Sequence, residues 1–296
     1  MNKVLELDQL TKHFGRIKAV NNLSIEVEKG QVYGILGPNG SGKTTALSVV
    51  MGVIRQNSGS FCWFGMPGGN NGHKKNIGSL IEVPHFYPYM SLANNLKIVA
   101  HIKEAPHEDI DRVLRITRLY ERRNSPYRTL SLGMKQRLAL ASVLLGDPEV
   151  MVLDEPTNGL DPEGIAEVRT IIQQEAGKGK TVILASHILA EVEKVCTHVA
   201  VLKNGELLAS GKVDELLGTD RLFLVSAADI EKLERAVAGA EMVRSFTRKE
   251  DELLISCTAS VSSADLNRFA FEHGIALSKL VSVKKSLESQ FLELVR

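Results

Sequence analysis

A glycine-rich stretch reads Gly37-Pro38-Asn39-Gly40-Ser41-Gly42-Lys43-Thr44-Thr45 and directly follows the apolar run Val32-Tyr33-Gly34-Ile35-Leu36. The next residues, 46–50, favour a helix, so strand, loop and helix come in the order that a phosphate-binding loop requires. In such a loop the glycines let backbone N–H groups turn towards phosphate oxygens, and the helix N-terminus adds a partial positive charge. Lys43 supplies a positive charge for the β and γ phosphates, and the Thr44 hydroxyl can hold Mg²⁺. We therefore expect residues 37–45 to bind the phosphates of a nucleotide.

Two carboxylates follow a second apolar run. Val150-Met151-Val152-Leu153 leads into Asp154, Glu155 and Pro156, and the carboxyl end of a parallel strand is where such a sheet places its ligand-binding groups. We predict that Asp154 holds Mg²⁺ through its water shell and that Glu155 polarises the water that attacks the γ-phosphate. An acidic pair before a proline is also typical of a helix start. The phosphate loop in the same chain favours the catalytic interpretation.

The composition sets broad limits on the protein. Its 296 residues suit one domain of about 200 residues and a smaller one, and a formal net charge of +1 with 44% hydrophobic residues argues against disorder and general nucleic-acid binding. Cys62, Cys196 and Cys257 show neither metal-ligand spacing nor a disulfide framework, which favours a reducing cytoplasm. No run approaches the eighteen or so apolar residues that span a bilayer, and the N-terminus lacks the apolar core of a signal peptide. If the protein works at a membrane, we expect another chain to supply the span.

Residues 1–217 are predicted to form an α/β domain. Residues 1–35 alternate as short strands, which indicates an antiparallel edge beside the nucleotide-binding core. A helical pattern then runs from Pro84 to about Leu145, with Ser91 as a candidate N-cap. The segment 108–120 places four side chains on one helix face: Ile110, Val113, Leu114 and Thr117. The pattern predicts a helical insert.

Buried-strand patterns return after the insert, at residues 150–153, 181–184 and 199–202. A helical pattern at 165–175 separates the first two, and this alternation predicts a mainly parallel sheet covered by helices. Asn204-Gly205 is a strong hairpin signal before the apolar residues that follow it.

The pattern changes around Gly218-Thr219-Asp220, so residues 218–296 are predicted to form a second domain. Its segments, in order, favour a strand (221–225), a helix (228–237), two strands (242–247 and 253–258), a helix (264–273), a strand (280–283) and a last helix from Leu287. That order suggests a small α+β domain of ferredoxin-like type.

One further motif carries a resemblance to a known family. Leu130-Ser131-Leu132-Gly133-Met134-Lys135-Gln136-Arg137 resembles the signature motif of ABC-transporter ATPases, at the family's spacing before the Asp154-Glu155 strand. The resemblance covers roughly residues 3–215 and includes the D-loop Asn158-Gly159-Leu160-Asp161 and the switch histidine of Ala185-Ser186-His187. It implies a P-loop ABC ATPase that uses ATP and Mg²⁺.

The resemblance also implies a mode of assembly. Ser131 and the Gly133 backbone are predicted at a helix N-terminus, an anion site that in the family receives the γ-phosphate of the opposite protomer. Two ATP molecules are then expected to join a head-to-tail homodimer, which hydrolysis releases. His187 would contact the γ-phosphate and steady the attacking water. Phe14 matches the aromatic residue that stacks on adenine, although packing in the core is an alternative for an isolated aromatic.

Two motifs depart from the family pattern. Leu132 and Met134 replace the common glycine and glutamine of the signature, and a side chain at 132 would restrict backbone angles that glycine permits. Glu82 stands where most relatives carry the Mg²⁺-contacting glutamine; it keeps an oxygen ligand but adds a negative charge. Together these features resemble the bacitracin-resistance and lantibiotic-immunity exporter subfamily. An unrelated surface glutamate is the alternative for Glu82.

The family resemblance implies a cytoplasmic subunit at the inner face of the membrane that powers a separate permease, exporting a peptide antibiotic or similar amphipathic compound. The region 84–120 would contact that permease, and four side chains are either exposed anchors or insert core: Phe86, Tyr87, Tyr89 and Met90.

The competing hypothesis is a non-transport ABC ATPase that acts as a mechanical switch on the ribosome or on DNA. A single cassette without heptads, in a chain of near-zero charge, argues against it. Residues 219–296 are either a ligand-sensing module or a dimer-stabilising or structural appendage.

Overall fold

A computed structural model describes residues 3–69, 75–82, 85–217, 220–283 and 287. The chain divides into two compact units, Met1–Val213 and Asp214–Arg296, and each is described by itself. Among the described residues, no helix combines the length and apolarity needed to cross a bilayer.

The strands of the first unit are β1 (Lys3–Phe14), β2 (Ile17–Glu28), β3 (Val32–Leu36), β4 (Ser58–Trp63), β5 (Met66–Pro67), β6 (Ile77–Leu80), β7 (Val150–Asp154), β8 (Thr181–Ser186), β9 (His198–Lys203) and β10 (Glu206–Lys212). The helices along this part of the chain are α1 (Lys43–Val50), α2 (Leu92–Lys103), α3 (Asp109–Ile116), α4 (Leu132–Leu144), α5 (Pro162–Gly177), α6 (Leu189–Val195) and α7 (Val213–Leu217).

The central sheet has the strand order β10-β9-β3-β8-β7-β6, parallel except for β10. Every residue of β3, β7 and β8 is buried, as expected for parallel strands covered on both faces. The prediction of a mainly parallel sheet is therefore confirmed. Because β3, β8 and β7 are neighbours that run in one direction, the residues after Leu36, Ser186 and Asp154 emerge at the same edge.

A second sheet, of order β2-β1-β4-β5, is antiparallel. The predicted edge is present, but β1 and β2 are strands of twelve residues each, not short ones. The pairing of β1 with β2 shifts register repeatedly, and one shift lies between Leu7 and Leu10. Each bulge interrupts the period-two alternation, so the sequence pattern reads as shorter pieces than the structure contains. Strand β4 was not predicted.

The main core of the first unit lies between these two sheets, with α1 inside it. The fully buried indole of Trp63, on β4, donates from Nε1 to the carbonyl oxygen of Val50 at the end of α1 (2.8 Å). This contact ties the antiparallel sheet to the helix that follows the glycine-rich loop.

The helical insert is confirmed. Ser91 caps α2, as predicted, and its side chain accepts a hydrogen bond from the Asn94 backbone N–H (3.2 Å). Helix α3 ends at Ile116, earlier than the predicted 120, and the four residues assigned to one face are all buried: Ile110, Val113, Leu114 and Thr117. The predicted start at Pro84 lies outside the described residues.

The hairpin at Asn204-Gly205 joins β9 to β10, as predicted. Both residues have positive φ, 52° and 82°, the conformation that Asn-Gly favours in a type I′ turn.

The second unit contains the strands β11 (Arg221–Ala227), β12 (Val243–Lys249), β13 (Glu252–Cys257) and β14 (Leu277–Val283), with the helices α8 (Ile230–Ala238) and α9 (Ser263–Glu272). Its sheet has the order β12-β13-β11-β14, with antiparallel neighbours. Strand order and helix placement are those of a ferredoxin-like βαββαβ unit, which confirms the predicted type. The predicted last helix lies outside the described residues apart from Leu287.

Candidate functional site

The glycine-rich loop turns between β3 and α1 in a way that only glycine permits at its tightest point. Gly42 has a φ of 103°, and a Cβ atom there would lie 2.2 Å from the Ala19 carbonyl oxygen. The Lys43 side chain is buried and curls back along the loop, donating from Nζ to the carbonyl oxygens of Gly37 (2.9 Å) and Pro38 (3.2 Å). The loop thus holds a buried positive charge at the N-terminus of α1.

The shared edge of the central sheet brings three charged or polar side chains together. Glu155 Oε1 lies 3.6 Å from Lys43 Nζ, and Glu155 Oε2 lies 2.9 Å from His187 Nδ1. Glu155 has a φ of 46°, and its N–H donates to the Ala185 carbonyl oxygen (3.0 Å). A non-glycine residue in this backbone region is uncommon and is found at sites that the surrounding structure holds in place.

Asp154 is buried beside this cluster. Burial raises the pKa of its carboxyl group; a hydrogen bond from Thr44 opposes the rise, and the charges of Glu155 and Glu82 add to it. Among the described residues, none forms a hydrogen bond with the buried Oδ1 atom of Asp154. A buried oxygen without a partner is costly, by about 1–3 kcal/mol, and hard oxygen ligands are what Mg²⁺ prefers. The side chains present therefore fit a magnesium ion.

Glu82 lies in the loop after β6, with a φ of 60°. It lines a cavity of about 340 Å³ together with Thr44, Asp154, Glu155 and Lys135. The structure thus places Glu82 beside the other two predicted magnesium ligands, and not on an unrelated surface.

A cleft of about 500 Å³ opens over the glycine-rich loop, and Phe14 and Glu155 line it with residues 39–45. The side chain of Phe14 is 50% exposed, so the alternative of core packing is wrong. The sequence analysis missed four further lining residues: Ile17, Lys18, Ala19 and Asn204. Asn204 carried a turn signal, but no sequence pattern places β2 or this hairpin against the loop.

The signature motif begins α4. Ser131 is its N-cap, and its Oγ accepts a hydrogen bond from the Met134 N–H (3.3 Å). Leu132 is 56% exposed and does not have a positive φ, so its side chain is compatible with the backbone conformation at this position. Gly133 has open space where a Cβ atom would lie.

The D-loop lies beside the signature. Asp161 caps α5 by accepting a hydrogen bond from the Gly164 N–H (2.9 Å). Ser131, Gly133 and Asp161 line one surface cavity of about 400 Å³. It does not share its lining with the cleft over the glycine-rich loop.

Comparison with known proteins places this arrangement in a family. The protein-family model described as "ABC transporter" matches residues 20–158 of this chain. The bacitracin transport ATP-binding protein BcrA of Bacillus licheniformis is 35% identical over 302 residues, covering 100% of this chain and 98% of that protein. The chain belongs to the ABC-transporter ATP-binding family.

Two other similarities agree with this assignment. The lantibiotic transport ATP-binding protein SrtF of Streptococcus pyogenes is 36% identical over 220 residues, covering 74% of this chain and 96% of that protein. The solved structure of cbiO1 from Clostridium perfringens, part of the ABC transporter complex cbiONQ, has a TM-score of 0.65 at 27% identity and covers 73% of this chain and 91% of that chain. The predicted resemblance to bacitracin and lantibiotic transport proteins is confirmed, and the family hydrolyses ATP. These relatives are named as transport proteins, so the competing switch hypothesis gains no support.

The four aromatic and methionine residues of this ABC subunit's insert divide into two kinds. Tyr87 and Tyr89 are exposed, Tyr89 at 79%, which excludes them from the insert core. Phe86 is half-buried and packs on Tyr127, with ring centroids 5.3 Å apart, and Met90 is also half-buried. The anchor interpretation therefore remains for the two tyrosines.

Proposed function

We propose that this chain hydrolyses MgATP between two copies of itself and thereby powers a separate permease, exporting a peptide antibiotic or a similar amphipathic compound. The observation that carries the proposal is the Glu155 carboxylate, which lies between Lys43 and His187 at the mouth of the glycine-rich loop. The export substrate rests on the relatives named for bacitracin and lantibiotic transport. We place the subunit at the cytoplasmic face of the membrane, attached through the permease.

Glu155 is the proposed catalytic base. An ionised carboxylate only accepts hydrogen bonds, so the Nδ1 atom of His187 carries the hydrogen in their 2.9 Å contact. When the ring carries both hydrogens, that contact leaves the Nε2–H of His187 to donate to a γ-phosphate oxygen, which only accepts hydrogen bonds. The same contact orients the carboxylate that takes the proton from the attacking water. Lys43 and the backbone N–H groups of Gly37 and residues 39–45 would balance the charge of the β and γ phosphates.

Thr44, Asp154 and Glu82 are the residues that would hold Mg²⁺, which supplies positive charge to the phosphate oxygens when it is bound. Phe14 would stack on the adenine ring, because it is exposed in the same cleft as the phosphate loop.

The arrangement of two copies follows from the signature. Ser131 and the N–H groups of Leu132 and Gly133 lie at the N-terminus of α4, a helix of thirteen residues whose first two residues, counting the N-cap, are exposed. Such an N-terminus attracts a phosphate, and its cavity is separate from the chain's own phosphate cleft. A second copy placed head to tail would bring its ATP to Ser131, with Asp161 at the same interface. Tyr87 and Tyr89 are the proposed anchors for the permease.

The decisive experiment is the variant Glu155→Gln. It should bind ATP, lose turnover by about 100-fold or more, and form an ATP-dependent dimer on size-exclusion chromatography. Glu272→Gln, an exposed glutamate of α9, is the matched control and should behave as the wild type. Wild-type turnover by Glu155→Gln would refute the assignment of the base.

The transport role is tested by affinity purification of tagged Glu155→Gln protein from detergent-solubilised host cells with MgATP. Mass spectrometry should identify a polytopic membrane protein as the bound partner. Recovery of ribosomal proteins or DNA-repair factors without a membrane protein would contradict it and favour the switch hypothesis.

A further inference from the structure

A chain of ion pairs lies at the opposite end of the central sheet from the phosphate loop. Glu175, on α5, is fully buried and pairs with Lys178 and with Lys180 (Oε2 to Nζ, 2.8 Å). Lys180 directly precedes β8, and its Nζ also lies 2.6 Å from Asp147 Oδ1. Asp147 belongs to the connection 145–149 between α4 and β7.

The chain of ion pairs continues from Asp147 into the helical insert. Arg112, on α3, lies 3.7 Å from Asp147 Oδ1 and pairs with Asp109 on the same helix. Arg112 Nη2 also donates to the Leu144 carbonyl oxygen (2.9 Å), and Asp109 Oδ2 accepts from the Gly146 N–H (2.8 Å). We call Glu175, Lys180, Asp147, Arg112 and Asp109 the base network. It joins the sheet, through α5 and β8, to the insert, through α3 and the end of α4.

The three carboxyl groups of the base network, Glu175, Asp147 and Asp109, have lowered pKa values and are ionised at neutral pH. Burial by itself would raise the pKa of the Glu175 carboxyl group, but the hydrogen bonds from Lys178 and Lys180 outweigh burial and lower it. The hydrogen bond from Lys180 likewise lowers the pKa of Asp147. Removing ions from water costs several kcal/mol per ion, and replacing such groups by apolar residues is often neutral or stabilising. Fixing a particular geometry is therefore a better account of the base network than added stability.

That geometry concerns two elements that carry the proposed site. Helix α4 starts at Ser131 and has thirteen residues, so it is about 20 Å long, and β7 ends at Asp154. Both meet the connection 145–149 at their other ends. Gly146 and Asp147 in this connection have positive φ, 79° and 51°, so it is a tight turn that breaks the helix. Over a helix of about 20 Å, a rotation of about 3° at this turn would move Ser131 by about 1 Å.

We propose that the base network is a positioning device that sets the angle between α4 and β7, and through it the place of Ser131 relative to the ATP bound by the second copy of the chain. This inference rests on the proposed function. The residues of the base network lie at the opposite end of the sheet from the phosphate loop, so they would act through α4 and β7 and not by contact with the nucleotide. A displacement of about 1 Å at a reacting site can cost about 100-fold in rate.

Asp147→Asn is the informative variant, because the Asp147 side chain is 69% exposed and an exposed ion pair contributes little to folding stability. In the Glu155→Gln background, Asp147→Asn should raise the ATP concentration that gives half-maximal dimer by about threefold to fivefold, which is within what an exposed ion pair can contribute. Binding of a fluorescent ATP analogue to the monomer should be unchanged. Asp147→Glu should restore dimer formation.

The control is Asp111→Asn, which removes an exposed carboxylate of α3 that pairs with Arg123 (3.6 Å) outside the base network. It should dimerise like Glu155→Gln alone. If Glu155→Gln dimerises and adding Asp147→Asn leaves the ATP dependence unchanged, the base network proposal is refuted and the proposed function stands. If Glu155→Gln itself stays monomeric with MgATP, the head-to-tail arrangement is refuted, and the positioning role with it.

Discussion

Lys103 gives the protein a pH-dependent stability whose sign and size follow from its surroundings. Its Nζ, at the end of α2, donates to the carbonyl oxygens of Ser142 (2.7 Å) and Val143 (3.1 Å) near the end of α4. Burial lowers the pKa of Lys103 from the ordinary 10.5 to about 8, and the nearby charge of Asp109 opposes the change. The unfolded chain therefore binds more protons than the folded protein between pH 8 and 10.5. Folding stability from this group is complete above pH 10.5 and is lost as the pH falls through 8.

The two pKa values set the size of the effect. A difference of one in pKa corresponds to about 1.4 kcal/mol, so the full contribution of Lys103 is about 3 kcal/mol. About 2.5 kcal/mol of it should appear between pH 7 and pH 10. Lys103→Met removes the titrating group, and Lys103→Arg keeps a charge that does not titrate in this range.

Urea unfolding at pH 7 and pH 10 measures this difference. The fluorescence of Trp63, the single tryptophan of the sequence, follows the first unit. From pH 7 to pH 10, the unfolding free energy of the wild type should rise by about 2.5 kcal/mol more than that of Lys103→Met or Lys103→Arg. Lys97→Met, which removes an exposed charge from the same helix, should keep the wild-type pH dependence. Parallel behaviour of the wild type and Lys103→Met would refute the reasoning.

Three further variants test separate contacts. Gly42→Ala puts a Cβ atom 2.2 Å from the Ala19 carbonyl oxygen, so binding of a fluorescent ATP analogue should fall by at least tenfold, and unchanged affinity would contradict the close approach. Trp63→Ala empties a fully buried site and removes the hydrogen bond to Val50. Chemical unfolding followed by circular dichroism should show that the free energy of unfolding falls by about 3–5 kcal/mol. A decrease below about 1 kcal/mol would argue against this packing. Asp154→Asn should abolish the strengthening of nucleotide binding by added MgCl₂, whereas an unchanged response would remove Asp154 from the magnesium site.

The sequence sufficed for features whose cause is local. The glycine-rich loop, its strand and its helix are contiguous, so their order predicts the phosphate site without knowledge of the rest of the chain. Short apolar runs predicted the central strands because parallel strands are buried on both faces. The N-cap of α2 at Ser91 and the hairpin at Asn204-Gly205 were also predicted, since hydrogen bonds and backbone angles within a few residues determine them.

Features that depend on distant pairings required the tertiary structure. Bulges in β1 break the alternation that sequence analysis uses, and they arise from pairing with β2. Whether Phe14 is buried or exposed depends on what the fold packs against it, and the residue type alone does not determine this. The base network joins residues from 109 to 180, which carry no recognisable motif.

The candidate site shows both contributions. The sequence indicated Lys43, Glu155 and His187 one by one: Lys43 ends the glycine-rich loop, and Glu155 and His187 directly follow apolar strands. Their contacts, 3.6 Å and 2.9 Å, exist because β3, β8 and β7 are neighbours in one parallel sheet and end at the same edge. Strand order is a property of long-range hydrogen bonding and burial, so the identity of the groups could be read from the sequence, whereas their distances could not.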